Sequence, residues 1–261
     1  MNSSEKDSPP STDSRSLVAR CFALVPCAGS GSRAGTLKPK QYELIAGQSM
    51  VMHTLAALGS VERLQQVLVV VSPSDSHVWS EGLEGPEGQR AHRPFQRIAC
   101  GGDTRAESVF NGLSYLLKEG EYKPEGVQAH DWILVHDAAR CLITELEINR
   151  LIDACIDDDV GGLLALPLPD TLKSEEGGRV AQTIGREHKW LAQTPQMFRL
   201  QALHDALAAV AASGFAGITD EASALERQGL QPRLVEGSAQ NFKVTYPADF
   251  ALAEAILRSR T

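Results

Sequence analysis

Three short segments carry residues whose types and spacing suit the handling of a nucleotide. The first, Pro26-Cys-Ala-Gly-Ser-Gly-Ser-Arg-Ala-Gly-Thr-Leu-Lys-Pro-Lys-Gln41, sets glycines beside Arg33, Lys38 and Lys40, three cations within eight residues. Exposed backbone amides and cations on long stems together suit a triphosphate. Gly29, Gly31 and Ala34 formally match the G-x-G-x-x-G/A dinucleotide fingerprint. That fingerprint also needs an immediate helix and an acidic residue about twenty positions on. Here a polar stretch runs on to about Gln48, and Val51 stands where the acid belongs, which disfavours a dehydrogenase. A Walker A loop fails too, because no Gly-Lys-Ser/Thr occurs. The plain alternative, a solvated basic loop, leaves three cations unpaired on an acidic protein.

The second segment, Cys100-Gly-Gly-Asp-Thr-Arg-Ala-Glu-Ser108, joins a strand to a helix beginning near Asp103, a plausible N-cap. Gly101 and Gly102 permit close backbone approach, pointing to a flat base or ribose resting there. In the third, His136-Asp-Ala-Ala-Arg140, Asp137 stands at the carboxyl end of a buried strand. A carboxylate so placed commonly holds Mg²⁺ on a nucleotide phosphate. An Asp137–Arg140 ion pair that merely closes the loop is the alternative. His136 reads as packed or locally hydrogen-bonded rather than as a base. The five cysteines, Cys21, Cys27, Cys100, Cys141 and Cys155, form no C-x-x-C pair and sit among apolar neighbours. They read as reduced thiols in a cytoplasmic compartment, not as a zinc site or a disulfide framework.

The elements that must position these loops follow from hydrophobic pattern. Apolar runs at Cys21–Pro26, Val67–Ser72, Trp132–His136 and Gly162–Pro167 read as strands buried on both faces. Helical periodicity separates them at Ser49–Leu58, Asp103–Leu117 and Thr144–Asp157, and returns at Arg199–Ser213, Thr219–Gln228 and Pro247–Arg258. Asn241–Thr245 reads as one more strand. Buried strands alternating with helices predict a mostly parallel sheet, with ligands beyond the carboxyl ends of its strands. Asp170–Ile184 breaks the alternation as a polar hairpin turning at Gly177-Gly178, either a solvated surface feature or an arm that pairs elsewhere. Residues 1–18 read as a Ser-rich disordered tail and 19–261 as a single domain, its arm at about 168–189. The balance of 25 basic against 33 acidic residues, net −8, argues against a bulk grip on nucleic acid or anionic lipid. No apolar run is long enough to cross a bilayer, and no secretory signal pattern opens the chain.

Taken together, eight stretches in order resemble the 2-C-methyl-D-erythritol 4-phosphate cytidylyltransferase family of the non-mevalonate isoprenoid pathway. They are Pro26-Cys-Ala-Gly-Ser-Gly-Ser-Arg33, Pro39-Lys-Gln-Tyr42, Gly101–Ser108, Val135-His-Asp-Ala-Ala-Arg140, Asp170-Thr171, Thr194-Pro-Gln196, Thr219-Asp-Glu-Ala-Ser223 and Asn241-Phe-Lys-Val-Thr245, spanning roughly Cys21 to Arg258. The resemblance implies an α/β fold: a Rossmann-like, mostly parallel sheet flanked by helices, of the nucleotide-diphospho-sugar transferase type, with a protruding β-hairpin dimer arm. It implies transfer of CMP from CTP to 2-C-methyl-D-erythritol 4-phosphate, with release of pyrophosphate and Mg²⁺ as cofactor.

By the same resemblance Arg33 and Lys40 are catalytic, stabilising charge at the reacting α-phosphate. Arg186 and Lys243 position the sugar phosphate, supported by Thr171 and Thr194. Cys27, Ala28, Gly29, Ser30, Gly31, Gly101, Gly102, Asp103, Ser108, Asp137, Ala138 and Arg140 line the nucleotide, with Asp137 by the metal. Arg186 follows the hairpin, which in this family reaches into the neighbour's site, so a homodimer is implied. Departures from the family pattern are Cys27 for Ala, Cys141 for Pro and Ala34 for Met, none of which removes a charged participant. Two alternatives stay open: another polyol phosphate acceptor such as ribitol 5-phosphate, and a non-catalytic nucleotide-binding module.

Overall fold

Each residue of Cys21–Pro26 (β1) is apolar, and alternate side chains feed opposite faces of one sheet. Cys21, Ala23 and Val25 enter one core, Phe22 and Leu24 the other. This two-sided demand forces helices onto both faces. The computed structural model describes residues 20–29, 39–76, 95–122 and 126–260, so the 1–18 tail expectation lies outside it. After β1 come a 3₁₀ turn Lys40–Tyr42, the short strands Leu44–Ile45 (β2) and Gln48–Ser49 (β3), helix Met50–Gly59 (α1) and strand Leu64–Val70 (β4). Phe95–Ile98 (β5), Arg105–Tyr122 (α2), Trp132–Val135 (β6), Glu145–Cys155 (α3) and Gly161–Pro167 (β7) continue the alternation. The polar hairpin is Leu172–Glu176 (β8) and Arg179–Ile184 (β9), followed by Trp190–Arg199 (β10). Leu200–Ala211 (α4), Glu221–Glu226 (α5), Arg233–Glu236 (β11) and Pro247–Ser259 (α6) complete the fold.

The central sheet runs β11-β7-β10-β6-β1-β4-β5, with β10 antiparallel to both neighbours and the other pairings parallel. One face packs α1 and α3 through Leu55, Leu58, Ile148 and Leu151, and the other packs α2 and α4 through Val109, Leu113, Leu203 and Leu207. A Cβ at Gly112 would lie 2.7 Å from both Leu24 and Val70 side chains, so glycine lets α2 settle onto β1 and β4. The mostly parallel, helix-flanked sheet is the predicted fold class.

Three readings need correction. Asn241–Thr245 is not a strand: Val244 N donates to Ala139 O at 2.9 Å, but no ladder forms. The sheet edge beside β7 is taken by β11, whose Arg-Leu-Val-Glu pattern buries only Val235 and so carries little apolar signal. The α2 N-terminus is capped by Thr104, whose hydroxyl accepts from Glu107 N at 3.1 Å, while Asp103 N donates to the Glu107 carboxylate at 2.8 Å. Because α2 begins at Arg105, Thr104 rather than Asp103 occupies the capping position. The predicted Thr219–Gln228 helix contracts to α5, because the Asp220 side chain caps it by accepting from Ser223 N.

Candidate active site

A cleft of about 290 Å³ opens over the carboxyl ends of β1 and β6 and beside the start of α2. Its described lining includes Cys27, Ala28, Gly29, Lys40, Gly102, Asp103, Ser108, Asp137, Ala138 and Lys243, all expected there from sequence. Arg33, Ser30 and Gly31 lie outside the described residues. The loop after β1 starts with Cys27 N donating to Val70 O at 2.7 Å. The 3₁₀ turn then places Lys40 and Gln41 on the same cleft, Lys40 Nζ donating to Val244 O at 2.8 Å. A Cβ at Gly101 would lie 2.3 Å from Ala28 Cβ, and one at Gly102 the same distance from Glu107 side-chain carbons. The double glycine therefore has a packing reason inside the protein, besides any base it receives. Ser108 fixes the turn from below, accepting from Gly102 N at 3.1 Å and donating to Thr104 O at 2.9 Å.

Charge in the cleft is organised around Asp137. Its Oδ1 accepts from Arg105 Nε at 2.6 Å, and its Oδ2 is 2.7 Å from Lys243 Nζ. Arg105 extends the chain with a bidentate pair to Glu221, at 2.7 and 3.0 Å. The alternative Asp137–Arg140 pair does not form: Arg140 donates to the Asn241 and Ala192 carbonyls at 2.7 and 3.2 Å instead, tying the 241–245 segment to β10. Burial opposes ionisation of Asp137, but Arg105 and Lys243 outweigh it and hold the carboxyl well below the usual carboxylate range. Burial pushes Glu221 above its ordinary value, partly offset by Arg105. Arg105 resists its own desolvation through both carboxylates and stays a cation.

His136 is buried and is no base. Its Nε2 lies 3.1 Å from the Arg140 carbonyl and its Nδ1 3.0 Å from the Thr194 hydroxyl, which accepts from Asp137 N at 3.0 Å. Each contact fixes the next. The carbonyl requires the proton on Nε2, so Thr194 donates to Nδ1, and the hydroxyl orients the Asp137 backbone. Burial pushes the imidazole down to about 4. Thr194 reaches this position because β10 runs counter to β6 in the register Gln196↔Val135. Burial likewise pushes the Cys27 thiol up to about 12, so no thiolate nucleophile faces the cleft. All five cysteines are free.

Gly101, Arg140, Thr171, Arg186 and Thr194 are not among the residues lining this cleft within the chain. Thr171 and Arg186 are exposed at the base of the hairpin, where the Arg186 guanidinium donates to Pro169 O. Arg105, Glu221 and Gln41 escaped the sequence reading although each lies in a matching stretch. Arg105 opens α2, where the helix dipole disfavours a cation, and that misplacement was the available signal for buried carboxylate partners. No cluster of three or more His, Cys, Asp or Glu occurs among the described residues. Mg²⁺ usually keeps several waters and takes one or two carboxylates plus substrate phosphates; Asp137 lines the cleft, with both oxygens already held by Arg105 and Lys243. No helix among the described residues is long and apolar enough to cross a membrane.

A mostly parallel sheet whose first strand runs into a glycine-rich sequence, with a cleft over its carboxyl ends lined by Lys40 and Lys243 and no activated nucleophile among the described residues, fits the nucleotidyltransferase class. The family model for IspD, 2-C-methyl-D-erythritol 4-phosphate cytidylyltransferase, matches residues 21–259. The chain belongs to that family. The 2-C-methyl-D-erythritol 4-phosphate cytidylyltransferase of Laribacter hongkongensis is 52% identical over 241 residues, covering 92% of this chain and 97% of that protein. The bifunctional enzyme IspD/IspF of Albidiferax ferrireducens is 56% identical over 255 residues, 98% of this chain, which spans 57% of that protein's length. A crystal structure of 4-diphosphocytidyl-2C-methyl-D-erythritol synthase is 37% identical, with a TM-score of 0.75, covering 92% of this chain and all of that one.

Proposed function

We propose that this cleft carries out CMP transfer from CTP to 2-C-methyl-D-erythritol 4-phosphate with the triphosphate over the glycine loop and Lys40. The base and ribose lie toward Gly101–Asp103 and Ser108, and the acceptor phosphate enters beside Lys243. The convergence of Lys40, Lys243 and the Cys27–Gly29 backbone on one cleft carries this reading. The acceptor phosphate oxygen attacks the α-phosphorus in line, the new P–O bond forms, and the bond to the bridging oxygen breaks to release pyrophosphate. A phosphate monoester is already ionised at neutral pH, so no general base is required, in keeping with a neutral, buried His136. Catalysis then rests on positioning and on cations matching charge at the α-phosphate, Lys40 here and Arg33 by family resemblance. Lys243, held by Asp137, aligns the acceptor. Mg²⁺ bound to the triphosphate would neutralise charge beside Asp137.

Thr171 and Arg186 act in this reading on the acceptor of a second subunit, through the hairpin. Exposed Val180 (66%), Trp190 (39%) and Leu191 (47%), on the hairpin and the strand leaving it, support burial there against a homodimer partner. Free, mostly buried thiols fit a reducing, cytoplasmic compartment. Pyrophosphate release, measured for CTP and UTP with 2-C-methyl-D-erythritol 4-phosphate or ribitol 5-phosphate, tests the assignment. CTP with the methylerythritol acceptor is expected to dominate; equal kcat/KM for the two acceptors would overturn the acceptor assignment.

A further inference from the structure

Gln41 is buried among groups that form the cleft, yet its side chain is spent on backbone. Its Nε2 donates to the Cys27 carbonyl at 3.1 Å and to the Gly29 carbonyl at 2.9 Å. Both acceptors are carbonyl oxygens, so only an NH₂ group satisfies them and the amide orientation is fixed. These two oxygens belong to the loop on which an anion must rest. A carbonyl is the negative end of the peptide dipole, and one turned toward a phosphate repels it. In a trans peptide the carbonyl and the following N–H point in opposite directions. Holding the Cys27 carbonyl therefore directs the Ala28 N–H away from Gln41. Gly29 adds an independent observation. Among the described residues nothing lies within 4 Å of a Cβ built there, and its φ is not in the left-handed region. Among the described residues, neither packing nor a left-handed backbone requires that glycine, in contrast to Gly101, whose Cβ would meet Ala28 and Val71.

We propose that Gln41 is the positioning residue that gives the glycine loop its phosphate-binding polarity, sequestering two carbonyls so that amides, not carbonyl oxygens, meet the nucleotide's phosphates. The inference rests on the placement of the triphosphate over this loop. Lys40 and Gln41 thus divide the work of one 3₁₀ turn: Lys40 supplies charge to the cleft and Gln41 prepares the backbone beside it.

The test compares CTP, in the presence of Mg²⁺, with cytidine, which has no phosphate. Titrations use wild type and Gln41→Met, which keeps the length of the side chain and removes both donors. Wild type is expected to bind CTP at least about 100-fold more tightly than cytidine; no such gain would instead remove the triphosphate placement itself. Losing two donated hydrogen bonds should cut that gain about tenfold or more, with cytidine affinity changed less than about twofold. An undiminished gain with intact cytidine binding overturns the proposal, as does an equal loss for both ligands, which marks Gln41 as merely structural. Gln41→Glu carries the test if Gln41→Met does not fold. A carboxylate facing two carbonyl oxygens is repelled, while its protonated form regains one donor. Its kcat/KM for CTP, relative to wild type, should therefore rise as pH falls from 8 to 6, and a flat ratio overturns the proposal.

Discussion

Arg105 stands between two buried carboxylates, and replacing it with Met separates what each one needs. Asp137 keeps Lys243 at 2.7 Å, whereas Glu221 loses both bonds of its bidentate pair. Removing one partner of a buried pair costs about 3–5 kcal/mol when the orphaned charge must persist. Glu221 has an escape, which is to take up a proton. Starting from its ordinary value of 4.5, protonation at pH 7 costs about 3 kcal/mol, and this caps its share of the loss. At pH 5.5 the same cap falls to about 1.4 kcal/mol. The destabilisation by Arg105→Met, taken against wild type at each pH, should therefore shrink between pH 7 and pH 5.5, by at most about 2 kcal/mol because burial already raises Glu221 in wild type. Adding Glu221→Gln should recover most of the loss at pH 7, because the charge that needed compensation is gone. Urea unfolding of the two single variants and the double variant at both pH values measures this. A pH-independent loss, or a double-variant cost equal to the sum of the singles, would refute the view that Arg105 exists to neutralise Glu221.

Lys40→Ala and Lys243→Ala should fail differently in steady-state kinetics. Loss of Lys40 should lower kcat by about 10²–10³ with little change in CTP binding, while loss of Lys243 should appear chiefly in KM for the sugar phosphate; a Lys40→Ala effect confined to KM for CTP would sink the transition-state role. Mixing inactive Lys40→Ala with inactive Arg186→Ala under subunit exchange should restore about a quarter of wild-type activity, since half of randomly paired dimers are mixed and carry one intact site. No recovery after verified exchange would place Arg186 in its own subunit's site. His136, pushed down to about 4, binds its proton less tightly folded than unfolded, so stability should fall as pH drops from 6.5 to 4, by up to about 3 kcal/mol. His136→Gln should remove that slope in a pH series of urea melts, and an unchanged slope would assign it elsewhere.

Much of this protein could be read along the chain because it depends on near neighbours in sequence. Period and run length are local, so β1, β6 and β7 announced themselves by apolar runs buried on both faces, and the glycine loop, the 100–108 turn and the hairpin by their glycines. Residue chemistry is local too: Lys40 and Asp137 could be named from their own loops and Lys243 from the family resemblance, and all three line the cleft. What could not be read was pairing. Asp137 lies three residues from Arg140, yet Arg140 turns to the Asn241 and Ala192 carbonyls and Asp137 takes Arg105 and Lys243, from the start of α2 and from the 241–245 segment. Coulomb attraction does not favour sequence neighbours; it favours whichever cation the sheet brings within reach in a dry site. The strand β10 shows the same limit. Its mixed sequence gave no clean period, and only its antiparallel seat between β6 and β7 brings Thr194 to Asp137 and His136. Local sequence chose the chemical groups, and long-range packing, by deciding which of them share a low-dielectric space, chose which act together.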